Sequence, residues 1–178
     1  MSGIDENGIF HPLSIAILTV SDTRDRAGDT SGDVLEQRVV SAGHHLAGRH
    51  IVRDEVRLIQ DRVAQWITDP TVDVIITTGG TGFSPRDVTP EAIKPLFRRE
   101  MEGFSVLFHQ VSHRSVGVAT LQSRAFAGQA VDTFVFCLPG SPGACRDGWD
   151  GILALELDSR HKPCSLAGMV PRLRHVCA

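Results

Sequence analysis

No apolar run in this chain is long enough to cross a membrane. The longest, Phe134–Leu138, spans about five residues, where a transmembrane helix needs about twenty. Excess positive charge is also missing: a formal net charge of −3 leaves no basic footprint for nucleic acid. The N-terminus carries Asp5 and Glu6 and no apolar core, so it does not read as a signal peptide, and the chain is expected in the cytoplasm. Cysteine is scarce, and Cys137, Cys145, Cys164 and Cys177 form no C-x-x-C pair, which argues against a disulfide framework. Tyrosine is absent altogether, which by itself points to no function.

Familiar catalytic signatures are missing too. No Gly-Lys-Ser/Thr closes a Walker loop, no G-x-S-x-G elbow presents a serine, and no G-x-G-x-x-G follows the first strand. His109 and His113 have the spacing of a zinc-protease helix, but Gln110 stands where the general-base glutamate is required.

What remains is an ordinary globular composition, 42% hydrophobic and 22% charged, over 178 residues, which suits one domain with one sizeable core. Ser14–Val20 and Thr133–Leu138 are near-continuous apolar runs, as strands buried on both faces require, and Asp73–Thr78 is a third. His44–Val52 is a weaker strand. Helices are expected from a Ser31 cap to Gly43, and from Asp54 to before Pro70 with Val56, Ile59, Val63, Trp66 and Ile67 on one face. Others follow from a Thr89 cap, over 100–112 with Phe104, Leu107, Phe108 and Val111, and after Ser141 with Cys145, Trp149, Ile152 and Leu153. Ser115–Ala130 is less regular, with a helical turn near Thr120–Arg124 and a strand near Ala125–Gln129 antiparallel to the next. Alternation of this kind predicts an α/β fold: a three-layer α/β/α sandwich with a mostly parallel sheet. Residues 1–12 read as a flexible arm, 13–165 as the domain and 166–178 as an irregular tail.

The sharpest signal is Thr78-Gly79-Gly80-Thr81-Gly82, at the end of a buried strand. Such a turn either closes tightly on itself or lets backbone N–H groups cradle an anion. Two further strand-end loops, Ser21–Thr30 and Pro139–Gly143, also feed helices, and ligands of parallel sheets collect at strand carboxyl ends. Asp22, Asp25, Asp29, Asp54 and Asp87 are the acidic candidates; two of them at neighbouring strand ends could hold Mg²⁺ beside phosphates, or each could simply cap or solvate a loop. Arg86 suits either a pairing with Asp87 or a phosphate.

Ala16–Asp22, Asp29–Gly32, Thr77–Gly82, Arg86–Glu91, Met101–Phe104, Leu121–Arg124 and Leu138–Pro142 occur here in one order. Together, across about residues 13–165, they resemble the MoaB/MogA family of molybdenum cofactor biosynthesis, and the ending Leu157–Arg160 with Pro163 and Cys164 looks most like its MoaB branch. The resemblance implies a molybdopterin-binding fold assembling as a homotrimer, or as a hexamer made from two trimers. It implies Mg²⁺-dependent transfer of AMP from ATP to the terminal phosphate of molybdopterin. Asp54 and Asp87 correspond to the catalytic and metal-holding aspartates. Thr78, Gly79, Gly80, Thr81, Gly82, Ser123, Pro139, Gly140 and Ser141 correspond to the pterin site, and Ser21, Asp22 and Asp29 to the nucleotide border. A non-catalytic molybdopterin carrier, or a structural oligomer whose loops only build interfaces, are the competing functions. The Arg86-Asp87-Val88-Thr89-Pro90 pattern is intact here, which favours the enzyme.

Overall fold

A computed structural model describes residues 3–174. In chain order the elements are β1 (Gly3–Ile4), β2 (Ser14–Val20), α1 (Thr30–Ser41), β3 (His45–Val52), α2 (Val56–Ile67), β4 (Val74–Thr78), α3 (Thr89–Ile93) and β5 (Arg99–Glu100). There follow α4 (Glu102–Val116), β6 (Phe126–Ala130), β7 (Thr133–Leu138), α5 (Pro142–Gly148), α6 (Ala154–Glu156), β8 (His161–Lys162) and α7 (Val170–Arg174). A 3₁₀ segment, Gly117–Gln122, follows α4, and a π turn, Trp149–Leu153, joins α5 to α6.

The main sheet has six strands in the order β3-β2-β4-β7-β6-β5. The first four are parallel; β6 runs antiparallel to β7, as its sequence position beside a buried strand suggested, and β5 antiparallel to β6. Alternate residues of β2 feed two cores. Ile15 and Ile17 pack with Leu35, Val39, Phe104, Phe108 and Trp149, whereas Ala16, Leu18 and Val20 pack with Ile59, Val63, Trp66 and Ile93. Helices α1, α4 and α5 therefore cover one face and α2 and α3 the other, giving the three layers expected. Among the described residues no helix is long and apolar enough to cross a membrane.

Four local expectations are corrected. The cap of α1 is Asp29, whose carboxylate accepts the Gly32 N–H at 3.0 Å; Ser31 lies one residue inside the helix. Helix α2 starts after Glu55, which makes no side-chain cap bond, so Asp54 is left uncommitted to capping. Thr89 is the first residue of α3 rather than its cap, and its hydroxyl donates to the Gly79 carbonyl at 2.9 Å. Leu107 is 49% exposed, so α4 buries Phe104 and Phe108 but turns that leucine outward. Residues 3–12, read as an arm, lie along the body. Strand β1 pairs with β8, the His11 N–H donates to Ser159 Oγ at 2.8 Å, and the Phe10 ring sits 5.2 Å from that of His44. Beyond residue 165, Ala167 and Val170 join the core, while residues 175–178 and Cys177 fall outside the described part.

Candidate functional site

Thr19 of β2 is in register with Thr78 of β4, which is in register with Leu138 of β7. Three parallel strands thus end together, where the chain leaves β2 toward β3 on one side and β4 lies on the other. That reversal is where open α/β sheets form a crevice. Here it is a cavity of about 410 Å³, lined by Ser21, Thr23, Arg24, Asp54, Gly79–Gly82, Asp87, Gln122, Ser123, Pro139 and Gly140. Larger hollows exist elsewhere, but none of them contains the glycine loop.

The loop's conformation excludes side chains. Gly79 has φ of +105°, and a Cβ there would collide with the Val20 carbonyl oxygen. Gly80 has φ of +63°, and its Cβ would collide with Thr89 Oγ1 and lie 3.0 Å from Asp54 Oδ1. At Gly82 a Cβ would lie 2.9 Å from Asp87 Oδ2. Positive φ is open to glycine at little cost, and these close approaches need it as well.

Every carbonyl of the loop is held from the protein side. Gly79 O accepts from the Thr89 hydroxyl, and Gly80 O accepts from the Thr89 N–H at 3.0 Å. Thr81 O accepts from the Arg124 N–H at 2.8 Å, and Gly82 O from Arg124 Nε at 2.8 Å. The same guanidinium donates to Asp87 O at 2.7 Å, pairs with Glu91 and lies over the Phe83 ring. The Gly79 N–H is taken by Leu138 O at 3.0 Å, whereas those of Gly80, Thr81 and Gly82 donate to no protein group among the described residues. Backbone donors held rigidly beside a polar cavity form an anion seat.

Asp54 and Asp87 line the cavity against Gly80 and Gly82. Asp87 Oδ2 accepts the Ser84 N–H at 2.8 Å, which closes the turn that carries it. The Asp54 carboxyl is pushed above its ordinary range, first by burial and then by the negative charges of Asp22 and Asp87. An acid raised in this way supports the folded state while protonated, and that support is lost as pH rises through its folded pKa. Asp54→Asn is therefore expected to melt above the wild type at neutral pH, with the gap closing as pH falls through the carboxylate range. Thermal melts of both proteins across pH check this; a variant melting level with the wild type at neutral pH would show that the charge crowding has no weight.

Not every expected residue reaches the cavity. Asp22 stands at its rim in a bidentate pair with Arg86 (2.8 and 2.7 Å) and accepts the Asp54 N–H at 3.2 Å; the Arg86 bond holds its carboxyl below the usual range. Arg86 thus bridges to Asp22, not to Asp87. Asp29, expected at the nucleotide border, is fully buried, bonded to Thr19 Oγ1 at 2.8 Å and Arg49 Nη2 at 2.6 Å, and does not line the cavity. Thr78 is buried, and its hydroxyl donates to Pro139 O at 2.9 Å, joining the ends of β4 and β7. Ser141 caps α5 through Ala144 N at 3.1 Å and belongs to a neighbouring hollow. Buried Cys137 and Cys145, pushed up to about 12 and about 11 by desolvation, are not nucleophiles at neutral pH.

Sequence reasoning missed Arg24, Gln122 and Arg124. Arg124 belongs to the Leu121–Arg124 motif, and only its neighbour Ser123 was singled out. Arg24 sits in a loop of mixed charges, where no spacing distinguishes one arginine from another.

A family model described as Probable molybdopterin binding domain matches residues 16–159. Molybdenum cofactor biosynthesis protein B of Escherichia coli (strain K12) is 46% identical over 156 residues, 88% of this chain and 92% of that protein. The protein of the same name from Staphylococcus epidermidis is 43% identical over 150 residues, 82% of this chain and 85% of its own length. A crystal structure of Molybdenum cofactor biosynthesis protein B superposes with a TM-score of 0.83 at 34% identity, covering 92% of this chain and 97% of that one. With the strand-end cavity, its glycine loop and its paired aspartates in place, the chain belongs to the MoaB/MogA family of molybdenum cofactor biosynthesis proteins.

Proposed function

We propose that this protein binds molybdopterin and adenylylates it with Mg-ATP. A terminal phosphate oxygen of the pterin attacks the α-phosphorus of ATP, the bond from that phosphorus to the bridging oxygen breaks, and pyrophosphate leaves. The supporting observation is the pairing of three unpartnered amides, those of Gly80, Thr81 and Gly82, with two carboxylates in one cavity. The amides would hold a phosphate dianion through backbone alone, and a fixed seat converts an encounter of two anions into an oriented reaction. Neither the phosphate nucleophile nor the pyrophosphate leaving group requires a strong general base at neutral pH.

The donor set fits a magnesium ion. Asp54 is destabilised as an anion first by burial and then by Asp22 and Asp87, and a cation would relieve the latter. Mg²⁺ characteristically takes one or two carboxylates, with phosphates and water completing its shell, and Asp54 and Asp87 line one cavity. Asp54 and Asp87 would hold the ion, which would supply neutralisation of nucleotide charge. The same reading includes assembly as a homotrimer or a hexamer, for which exposed Val116, Val118 and Leu121 offer apolar surface.

The test incubates the protein with molybdopterin and Mg-ATP and follows adenylylated pterin and pyrophosphate, with EDTA as the control expected to abolish both. Pterin bound tightly without any product would overturn the enzyme reading and leave a carrier.

A further inference from the structure

Arg24 is the only cationic side chain among the described residues lining the cavity. Its Nη2 donates to Gly140 O at 2.7 Å and its Nη1 to Ser31 Oγ at 3.0 Å. A guanidinium has five N–H groups, so two are committed, both to neutral oxygens, and the other three have no hydrogen-bond partner among the described residues. The nearest carboxylate, Asp29, lies 3.9 Å from Nη1, beyond hydrogen-bond reach, and its oxygens already serve Arg49, Thr19 and the Gly32 N–H. Arg24 is therefore held in place and forms a 3.9 Å ion pair with Asp29, but no carboxylate among the described residues takes a hydrogen bond from it.

Its position also divides the cavity. Arg24 is tied to Gly140, where a Cβ would stand 3.1 Å from Gly79 Cα, so the cationic group belongs to the end where the β2, β4 and β7 loops meet. Asp54 and Asp87 lie against Gly80 and Gly82. One end can thus hold a phosphate without a metal, while the other gathers negative charge.

We propose that Arg24 binds the phosphate monoester of the acceptor directly, in a metal-independent subsite at the Gly79–Gly140 end of the cavity. The identity of that phosphate as the pterin's rests on the proposed function; the presence of the subsite does not. Forked N–H donation suits phosphate oxygens, and the tie to Gly140 pre-orients the fork, so little side-chain freedom is lost on binding.

The experiment titrates the full chain with inorganic phosphate in EDTA by calorimetry, for the wild type, Arg24→Gln and Arg24→Lys, with thermal melts in parallel. The wild type is expected to bind; Arg24→Gln should weaken binding by roughly ten- to a hundredfold, the range for a charge-assisted bond, and Arg24→Lys by less than about tenfold. No binding by the wild type overturns the proposal, as does a loss of less than about tenfold in Arg24→Gln. Equal large losses in both variants also overturn it, because the side chain would then act only through Gly140. Should Arg24→Gln fail to fold, Arg24→Met takes its place, and a loss of less than about tenfold (about 1.4 kcal/mol) in that variant overturns the proposal. Failure of adenylyl transfer with these titrations intact would sink the enzyme reading and leave the subsite standing.

Discussion

Asp87→Asn is expected to lower the proposed adenylyl transfer by about a thousandfold or more while leaving molybdopterin affinity within about threefold, since several kcal/mol of charge stabilisation at the proposed metal would convert to factors of that size. The substitution is conservative in shape. Asparagine keeps an oxygen that can accept the Ser84 N–H, and the backbone carbonyl of residue 87 still receives Arg124 Nη2, so the turn is retained. The anion seat is untouched too, because it consists of the amides of Gly80, Thr81 and Gly82 and not of any carboxylate. What is lost is one of two negative charges that line the cavity. Asparagine is a weaker ligand for a hard cation, and Asp54 alone would hold it poorly. Single-turnover transfer and equilibrium pterin binding, measured on the same preparation, separate the two effects. Parallel loss of affinity and turnover would move Asp87 from the metal to the pterin side; transfer within tenfold of wild type would remove it from the chemistry.

The sequence carried the strands wherever burial was complete. Ser14–Val20 and Thr133–Leu138 have one reading because apolar residues on both faces leave no alternative, and both appear with those bounds. Strand β3 was faint for a physical reason: it is an edge strand, and none of its residues is fully buried. Residues 3–12 showed no pattern because they pack on partners distant in sequence, such as Ser159 and the β8 strand paired with β1. Such contacts leave no period to detect.

The candidate site was legible where backbone geometry dictates residue type. Gly79 and Gly80 adopt positive φ beside groups that would strike a Cβ, and glycine spacing records that directly. Side chains were harder. Nothing in the spacing of Arg24, Arg26, Asp22, Asp25 and Asp29 tells which face the cavity, since the loop has no regular period. Only the fold sorts them: Arg24 to the cavity, Asp22 to its rim and Asp29 to the interior.

That sorting of Asp29 has a large measurable consequence. Asp29→Asn is expected to destabilise the protein by about 3 kcal/mol, the lower end for breaking a buried ion pair. Asp29 is fully buried and the Arg49 side chain is 4% exposed, so neither charge can fall back on water. The lower end applies because Arg49 Nη1 also meets Asp33 and Glu36, each at 2.7 Å, and keeps some compensation. Against that, Arg49 Nε already lacks a partner, and the exchange weakens the bonds to Thr19 and to the Gly32 cap as well. The loss corresponds to a fall in melting temperature of roughly 6–12 °C for a chain of this length. Pterin and Mg-ATP affinities, measured below the transition, should stay within about threefold of wild type, because no atom of Asp29 lines the cavity. The contrast with Asp54→Asn is the decisive one: two aspartates a short distance from the same strand end, one whose neutralisation lowers the melting temperature and one whose neutralisation raises it. An Asp29→Asn protein that melts with the wild type but binds Mg-ATP tenfold more weakly would return this residue to the nucleotide border and overturn its structural assignment.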